Sequence, residues 1–268
     1  AAPAISVTSA APAAPATGTL ATGTLATGVG HPARYPAETR SGTPTRPGTP
    51  DIPGRGGSAS GGGTSQATST NWSGYAATGR SFTSVSASWV QPSVSCGSGR
   101  GYSSFWVGLD GYASKTVEQI GTDSDCSGRP QYYGWWEMYP GASHNFPKAI
   151  GPGDRIRASV VYSASAGSYR LTLSDESRKW STAVTRTLPG AQRNSAEVVV
   201  EAPSDGAGVL PLAHFAPASI SDAQVNGAAI GRYGPTKITM TNDSGADKDT
   251  VSPLTGGESF HVTWQRSN

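Results

Sequence analysis

Charge is scarce in this chain: only 14% of its 268 residues are Asp, Glu, Lys or Arg, and just five are lysine. Four of the 20 basic residues (Arg34, Arg40, Arg46, Arg55) and two of the 18 acidic ones (Glu38, Asp51) fall within residues 1–70, which leaves 16 of each sign in the remainder. A neutral body without a basic run has no electrostatic footprint for nucleic acid, so no nucleic-acid partner is expected. Nor is there a run of about 18 apolar residues to span a membrane as a helix. Cysteine is almost absent too, and Cys96 and Cys126 allow one intramolecular pairing. The Ser/Thr/Gly-rich, lysine-poor body resembles exported proteins, where such a pair is oxidised; the alternative is two buried, inert thiols. Neither cysteine lies in a C-x-x-C or beside a histidine, which argues against a metal site. The chain opens at Ala1 without a charged n-region or an apolar h-region of roughly 7 residues, so a signal peptide is expected to be already missing and a secreted, extracellular location is inferred from composition.

The common catalytic constellations are missing as well. His31, His144, His214 and His261 share no i, i+4 or zinc-like spacing, no G-x-S-x-G elbow occurs, and no glycine-rich loop opens a helix. No metal or cofactor is therefore expected. A lone Asp243-Ser244-Gly245 reads as a turn, because aspartic-peptidase chemistry needs two such carboxylates sharing a proton.

What is present falls into two textures. Residues 1–70 form a low-complexity tail rich in Pro, Gly, Ala and Thr, with the near-repeats ATGTL, ATGTL and ATGVG between Ala16 and Gly30. That composition buries too little apolar surface to offset the entropy of ordering, so it reads as a linker or a removable pro-segment. From Asn71 to Asn268 all seven tryptophans appear, among short alternating or β-branched runs such as SVSASWV (84–90), SSFWVGL (103–109), TVEQIG (116–121), YYGWWEMY (132–139), RIRASVVY (155–162) and AEVVVEA (196–202). Turn signals recur and no long 3.6-residue apolar period is found, which predicts an all-β, antiparallel β-sandwich of about 200 residues.

Within these strands stand carboxylates and amides that β-propensity would not place there. In Glu197-Val-Val-Val-Glu201 the two-residue period puts Glu197, Val199 and Glu201 on one face, and Glu118 and Gln119 must point to opposite faces. Trp135, Glu137 and Tyr139 share a side. On residue pattern alone these are as well explained as solvated polar positions of a sandwich.

In order along the chain, N-W-S-G-Y (71–75), F-W-V-G-L-D-G (105–111), E-Q-I-G-T-D (118–123), Y-G-W-W-E-M-Y-P (133–140), G-D-R-I (153–156), N-S-A-E-V-V-V-E (194–201) and P-L-A-H-F (211–215) together resemble the glutamic peptidase family, the eqolisins. The resemblance implies a lectin-like sandwich of two curved antiparallel sheets and a catalytic Gln/Glu dyad on its concave face, at Gln119 and Glu201. It further implies site-lining or supporting roles for Trp106, Asp110, Asp123 and Glu137, while Glu197 is expected to be a supporting neighbour. Tyr133 departs from the family's Asp, and Ala202-Pro203 from its acidic-aromatic pair, which bears on subsite preference. The expected protein is a secreted, monomeric acid endopeptidase acting on polypeptides without a cofactor. Two rivals remain at this point: a lectin-like retaining glycosidase using Glu197 and Glu201, and a carbohydrate-binding module with Trp106, Trp135 and Trp136 as sugar platforms.

Overall fold

The computed structural model describes residues 64–112, 114–205 and 208–268. The tail through residue 63 lies outside the described residues. In chain order the strands are β1 (Ser65–Ser69), β2 (Trp72–Thr78), β3 (Ser84–Val90), β4 (Ser104–Leu109), β5 (Val117–Cys126), β6 (Pro130–Tyr139), β7 (His144–Ala149), β8 (Arg155–Ser163) and β9 (Ser168–Asp175). They continue with β10 (Trp180–Arg186), β11 (Ser195–Glu201), β12 (Ser204–Asp205), β13 (Gly208–Val209), β14 (Ala218–Val225), β15 (Ala228–Ala229), β16 (Thr236–Met240), β17 (Asp249–Val251) and β18 (Phe260–Trp264). One 3₁₀ turn, Ile230–Tyr233, precedes β16.

One sheet runs β1-β16-β2-β11-β4-β5-β6-β7 and the other β10-β9-β8-β3-β14-β18-β17, with β15 beside β14 and a separate β12-β13 hairpin. All named pairs are antiparallel except β1 with β16. The two large sheets pack face to face, as the alternating runs predicted. Tyr75, Val107, Ile120, Val198 and Val200 from the first meet Trp89, Ile156, Leu171, Leu173 and Val262 from the second in one apolar core. Each such side chain contributes about 1.5–3 kcal/mol when fully buried.

The sheets differ in their outer faces. Along β8 burial alternates, with Ile156, Ala158 and Val160 inward and Arg155 and Arg157 in solvent, as expected of a half-solvated antiparallel strand. In β4, β5 and β11 every residue is buried. The outer face of the first sheet is covered, and a second apolar cluster containing Trp72, Trp106, Tyr133, Trp135 and Val199 lies on it.

The sandwich starts earlier than the boundary expected at residue 71. Ser65–Ser69 extend the first sheet by pairing with Thr236–Met240. This segment has no large apolar side chain, and its place is set by the backbone ladder, which composition does not reveal. The strands β7, β10 and β14 escape sequence patterning for related reasons: β7 contains Pro147 at a sheet edge, and β10 and β14 are built largely from Ser, Thr, Ala and Gln.

Cys96 and Cys126 form a disulfide across 30 residues of chain, tying the segment after β3 to the end of β5. Restricting a loop of this size in the unfolded chain is worth about 3–4 kcal/mol in the chain-entropy picture. Replacing both cysteines by serine should lower the thermal midpoint by about 7–15 °C without changing far-UV circular dichroism, as read by a melting scan.

Candidate active site

The antiparallel register writes three parallel rows across the outer face of the first sheet. Glu197 of β11 is level with Gly108 of β4, Gln119 of β5 and Glu137 of β6. Two residues along each strand lies the row Val199, Trp106, Gly121 and Trp135, and two further the row Glu201, Ser104, Asp123 and Tyr133. Because side chains alternate with period two, all three rows face the same way.

Gln119 and Glu201 therefore share a face, but they stand two rows apart. Trp106 occupies the row between. Its Nε1 donates to Glu201 Oε2 at 2.9 Å. Its six-membered ring lies over Gly108, where an added Cβ would come within 2.8 Å of Trp106 Cζ3 and 3.3 Å of the Gln119 Cβ. Gly121 is equally constrained, since a Cβ there would meet Trp106 Cβ at 2.5 Å. One indole thus touches the surroundings of both residues, in space that only glycine leaves open.

Glu201 is 3% exposed and its second oxygen, Oε1, accepts from Asn71 Nδ2 at 3.3 Å. Gln119 Nε2 donates to Glu137 Oε2 at 2.7 Å, while the buried Gln119 Oε1 has no hydrogen-bond partner among the described residues. Asp123 Oδ1 accepts from Trp135 Nε1 at 2.6 Å. Tyr133, which stands where the family resemblance called for Asp, donates its hydroxyl to Asp125 Oδ2, and the Ser103 amide reaches Asp125 Oδ1 at 3.1 Å. The arrangement supplies a carboxylate held by two neutral N–H donors and a primary amide with one end anchored and one end open to hydrogen bonding.

The other candidates lie elsewhere or play different parts. Asp110 follows β4 with φ of 66°. Its carboxylate accepts from the backbone N–H groups of Gln192 (2.7 Å), Arg193 (2.7 Å) and Asn194 (2.9 Å), which anchors the segment leading into β11. Glu197 shares the row of Gln119 and is buried, as Gln119 and Glu201 are. Trp136 belongs to the core between the sheets, whereas Trp106 and Trp135 are on the outer face and bonded to carboxylates, so the three rings form no common platform. Asn71 and Asp125 are the site residues that pattern reading missed. Asn71 precedes a strand and has no periodic position to flag it, and Asp125 lies beyond the run that marked β5.

The profile of the peptidase A4 family matches residues 70–264. Aspergillopepsin-2 of Aspergillus niger is 29% identical over 232 residues, covering 75% of this chain and 79% of that protein. Scytalidopepsin B of Scytalidium lignicola is 30% identical over 195 residues, 64% of this chain and 74% of that protein. The crystal structure of scytalido-glutamic peptidase with a transition state analog inhibitor superposes with a TM-score of 0.64 at 25% identity, covering 73% of this chain and 98% of that one.

Several carboxyl groups around the site are buried deeply enough to resist ionisation. Glu118 points from β5 into the core with neither oxygen hydrogen-bonded, and burial pushes it up to about 9, helped by repulsion from Asp110 and partly offset by Arg193. Glu197 is raised well above the usual carboxylate range, first by burial and then by Asp110 and Glu118, against the pull of the Ser195 hydroxyl and the Tyr112 amide. Asp249, which accepts from Ser73 Oγ at 2.6 Å and so joins the two sheets, is pushed up to about 7 by burial despite Ser73, the Met240 amide and Lys248. A folded-state pKa above the unfolded value means that the folded state holds the proton more tightly. The stability that these groups contribute is complete below about pH 4 and is lost as pH rises through about 7 for Asp249 and about 9 for Glu118. The thermal midpoint should therefore fall between pH 4 and pH 8. Asp249→Asn should raise it at pH 8 by at least about 5 °C while changing little at pH 4, with Glu118→Gln acting in the same direction; a calorimetric pH series reads both.

Proposed function

The chain belongs to the peptidase A4 family and is a glutamic-type endopeptidase, and on that premise we propose that Glu201 and Gln119 divide the hydrolysis of a peptide bond between them in acid. The observation that carries this reading is the contrast between the two anchored groups. Glu201 receives hydrogen bonds from Trp106 and Asn71, both neutral, which stabilise a carboxylate without cancelling its charge. Gln119 has one amide hydrogen committed to Glu137, a second N–H free of that bond, and Oε1 without a partner among the described residues.

A carboxylate with an ordinary pKa of about 4.3 is still partly ionised at a pH where histidine is fully protonated and useless as a base. Glu201 removes a proton from water as the water oxygen bonds to the scissile carbonyl carbon. The Gln119 carbonyl holds that water, and its free N–H donates to the oxyanion that forms, a contribution of about 3 kcal/mol for one well-placed donor. Protonated Glu201 then gives its proton to the departing amine nitrogen as the C–N bond breaks, which restores the carboxylate. Glu137 keeps the amide turned, Trp106 spaces the pair, and Asp123 with Trp135 borders the same face. No covalent acyl-enzyme forms. The substrate is a polypeptide, and the enzyme works as a secreted monomer. Residues 1 to about 64 serve as a pro-segment removed by acid.

Cleavage of a denatured protein between pH 2 and 7 tests the assignment: Glu201→Gln should lose activity by about 10²–10⁴-fold and Gln119→Ala by about 10²–10³-fold, with folding intact. Wild-type turnover in Glu201→Gln would sink the reading. Because Ser65–Ser69 are part of the sheet, acid processing should cut before Ser65, and N-terminal mass spectrometry of the active species should find no start beyond it.

A further inference from the structure

Thr70 and Asn71 carry the chain from β1 to β2 over the end of β16, which lies between those strands in the sheet. The Ser69 hydroxyl sits inside this crossing, where Ser69 and Asn71 are buried. Ser69 Oγ accepts from the backbone N–H of Asn71 at 3.3 Å and of Trp72 at 3.1 Å. Backbone N–H groups can only donate, and a hydroxyl oxygen has two lone pairs, so both are taken and the hydroxyl hydrogen is left to donate. Its acceptor is Asn71 Oδ1 at 3.0 Å. With its oxygen so committed, the Asn71 amide must present nitrogen at its other side, and there Nδ2 donates to Glu201 Oε1 at 3.3 Å.

We propose that Ser69 and Asn71 form a one-way hydrogen-bond relay that orients the Glu201 carboxylate for proton removal, with Asn71 as a positioning residue and Ser69 as the group that fixes the polarity of its amide. The proposal rests on Glu201 being the general base. Turned the other way, the amide would set its oxygen against a carboxylate oxygen, two acceptors with no hydrogen between them. The relay forbids that orientation, because the donors that start it belong to the backbone. Trp106 holds the other carboxylate oxygen at 2.9 Å, so each oxygen faces a group that can only donate. The crossing itself does not depend on the side chains: the Ala202 N–H donates to the Asn71 carbonyl at 2.8 Å and the Thr241 N–H to the Ser69 carbonyl at 2.8 Å. The pairing of β1 at the sheet edge thereby acquires a role in catalysis.

The test uses the full chain and measures kcat, KM and thermal midpoint in acid on a denatured protein substrate for Asn71→Ala, Ser69→Ala, Ser69→Thr and the double alanine variant, with Glu201→Gln and Gln119→Ala alongside. Asn71→Ala should lower kcat about 10- to 100-fold with KM within about twofold, the pattern of a lost transition-state interaction. Ser69→Ala should lower kcat about 5- to 10-fold, Ser69→Thr should stay within about twofold of wild type because it keeps the hydroxyl, and the double variant should be no worse than Asn71→Ala alone, since both act along one path. Wild-type kcat in Asn71→Ala while Glu201→Gln is inactive would overturn the relay and leave the base assignment standing. Additive losses in the double variant would overturn it too. Should Asn71→Ala fail to fold, equal kcat in Ser69→Ala and Ser69→Thr would do the same. Wild-type activity in Glu201→Gln removes the base itself, and the relay falls with it.

Discussion

Across β11, β4, β5 and β6 a single backbone ladder sets Glu197, Gly108, Gln119 and Glu137 level with one another, and four residues along it sets Glu201, Ser104, Asp123 and Tyr133 level. The proposed division of labour between Gln119 and Glu201 depends on that register. Since side chains alternate, a slip of one residue in β5 would send Gln119 into the core and bring Glu118 or Ile120 to the outer face. A slip in β11 would do the same to Glu201 and Val200. The apolar face enforces the alignment, because Val107, Ile120, Trp136, Val198 and Val200 reach the other sheet only in this phase.

A sheet buried on both faces obliges its outer polar groups to find partners. Three carboxylates do so through aromatic N–H and O–H groups: Glu201 with Trp106, Asp123 with Trp135 and Asp125 with Tyr133. The tryptophans thus add apolar cover and at the same time direct the carboxylates. Trp106 can take its central place because Gly108 and Gly121 flank it; a methyl group at either position would collide with it. Glycine in these strands weakens the ladder locally and in exchange gives the indole a bed.

Acidity enters at two levels. The proposed chemistry uses a carboxylate as base where histidine could not serve, and the scaffold buries Glu118, Glu197 and Asp249, whose neutral forms favour the fold. The acid in which the reaction is proposed to run is also the condition in which the core carries fewest buried charges. Asp249 makes the link physical, since its bond to Ser73 joins the edge of one sheet to β2 of the other, next to the crossing that holds Asn71.

Much of this was legible in the order of residues. Alternation in SVSASWV and RIRASVVY announced β3 and β8 with their inward faces, and parity alone put Glu197 and Glu201 together and separated Glu118 from Gln119. The ordered motifs pointed to the family and, through it, to Gln119 and Glu201. What parity cannot state is depth or partnership. That Glu201 is bonded to Trp106, that Asp110 fastens a loop, and that Ser65–Ser69 complete a sheet with residues 171 positions away were decided by strand order and cross-strand register. Local sequence fixes which way a side chain turns, because the strand period is local. Only the assembled sheets fix what it meets, because its neighbours come from distant parts of the chain.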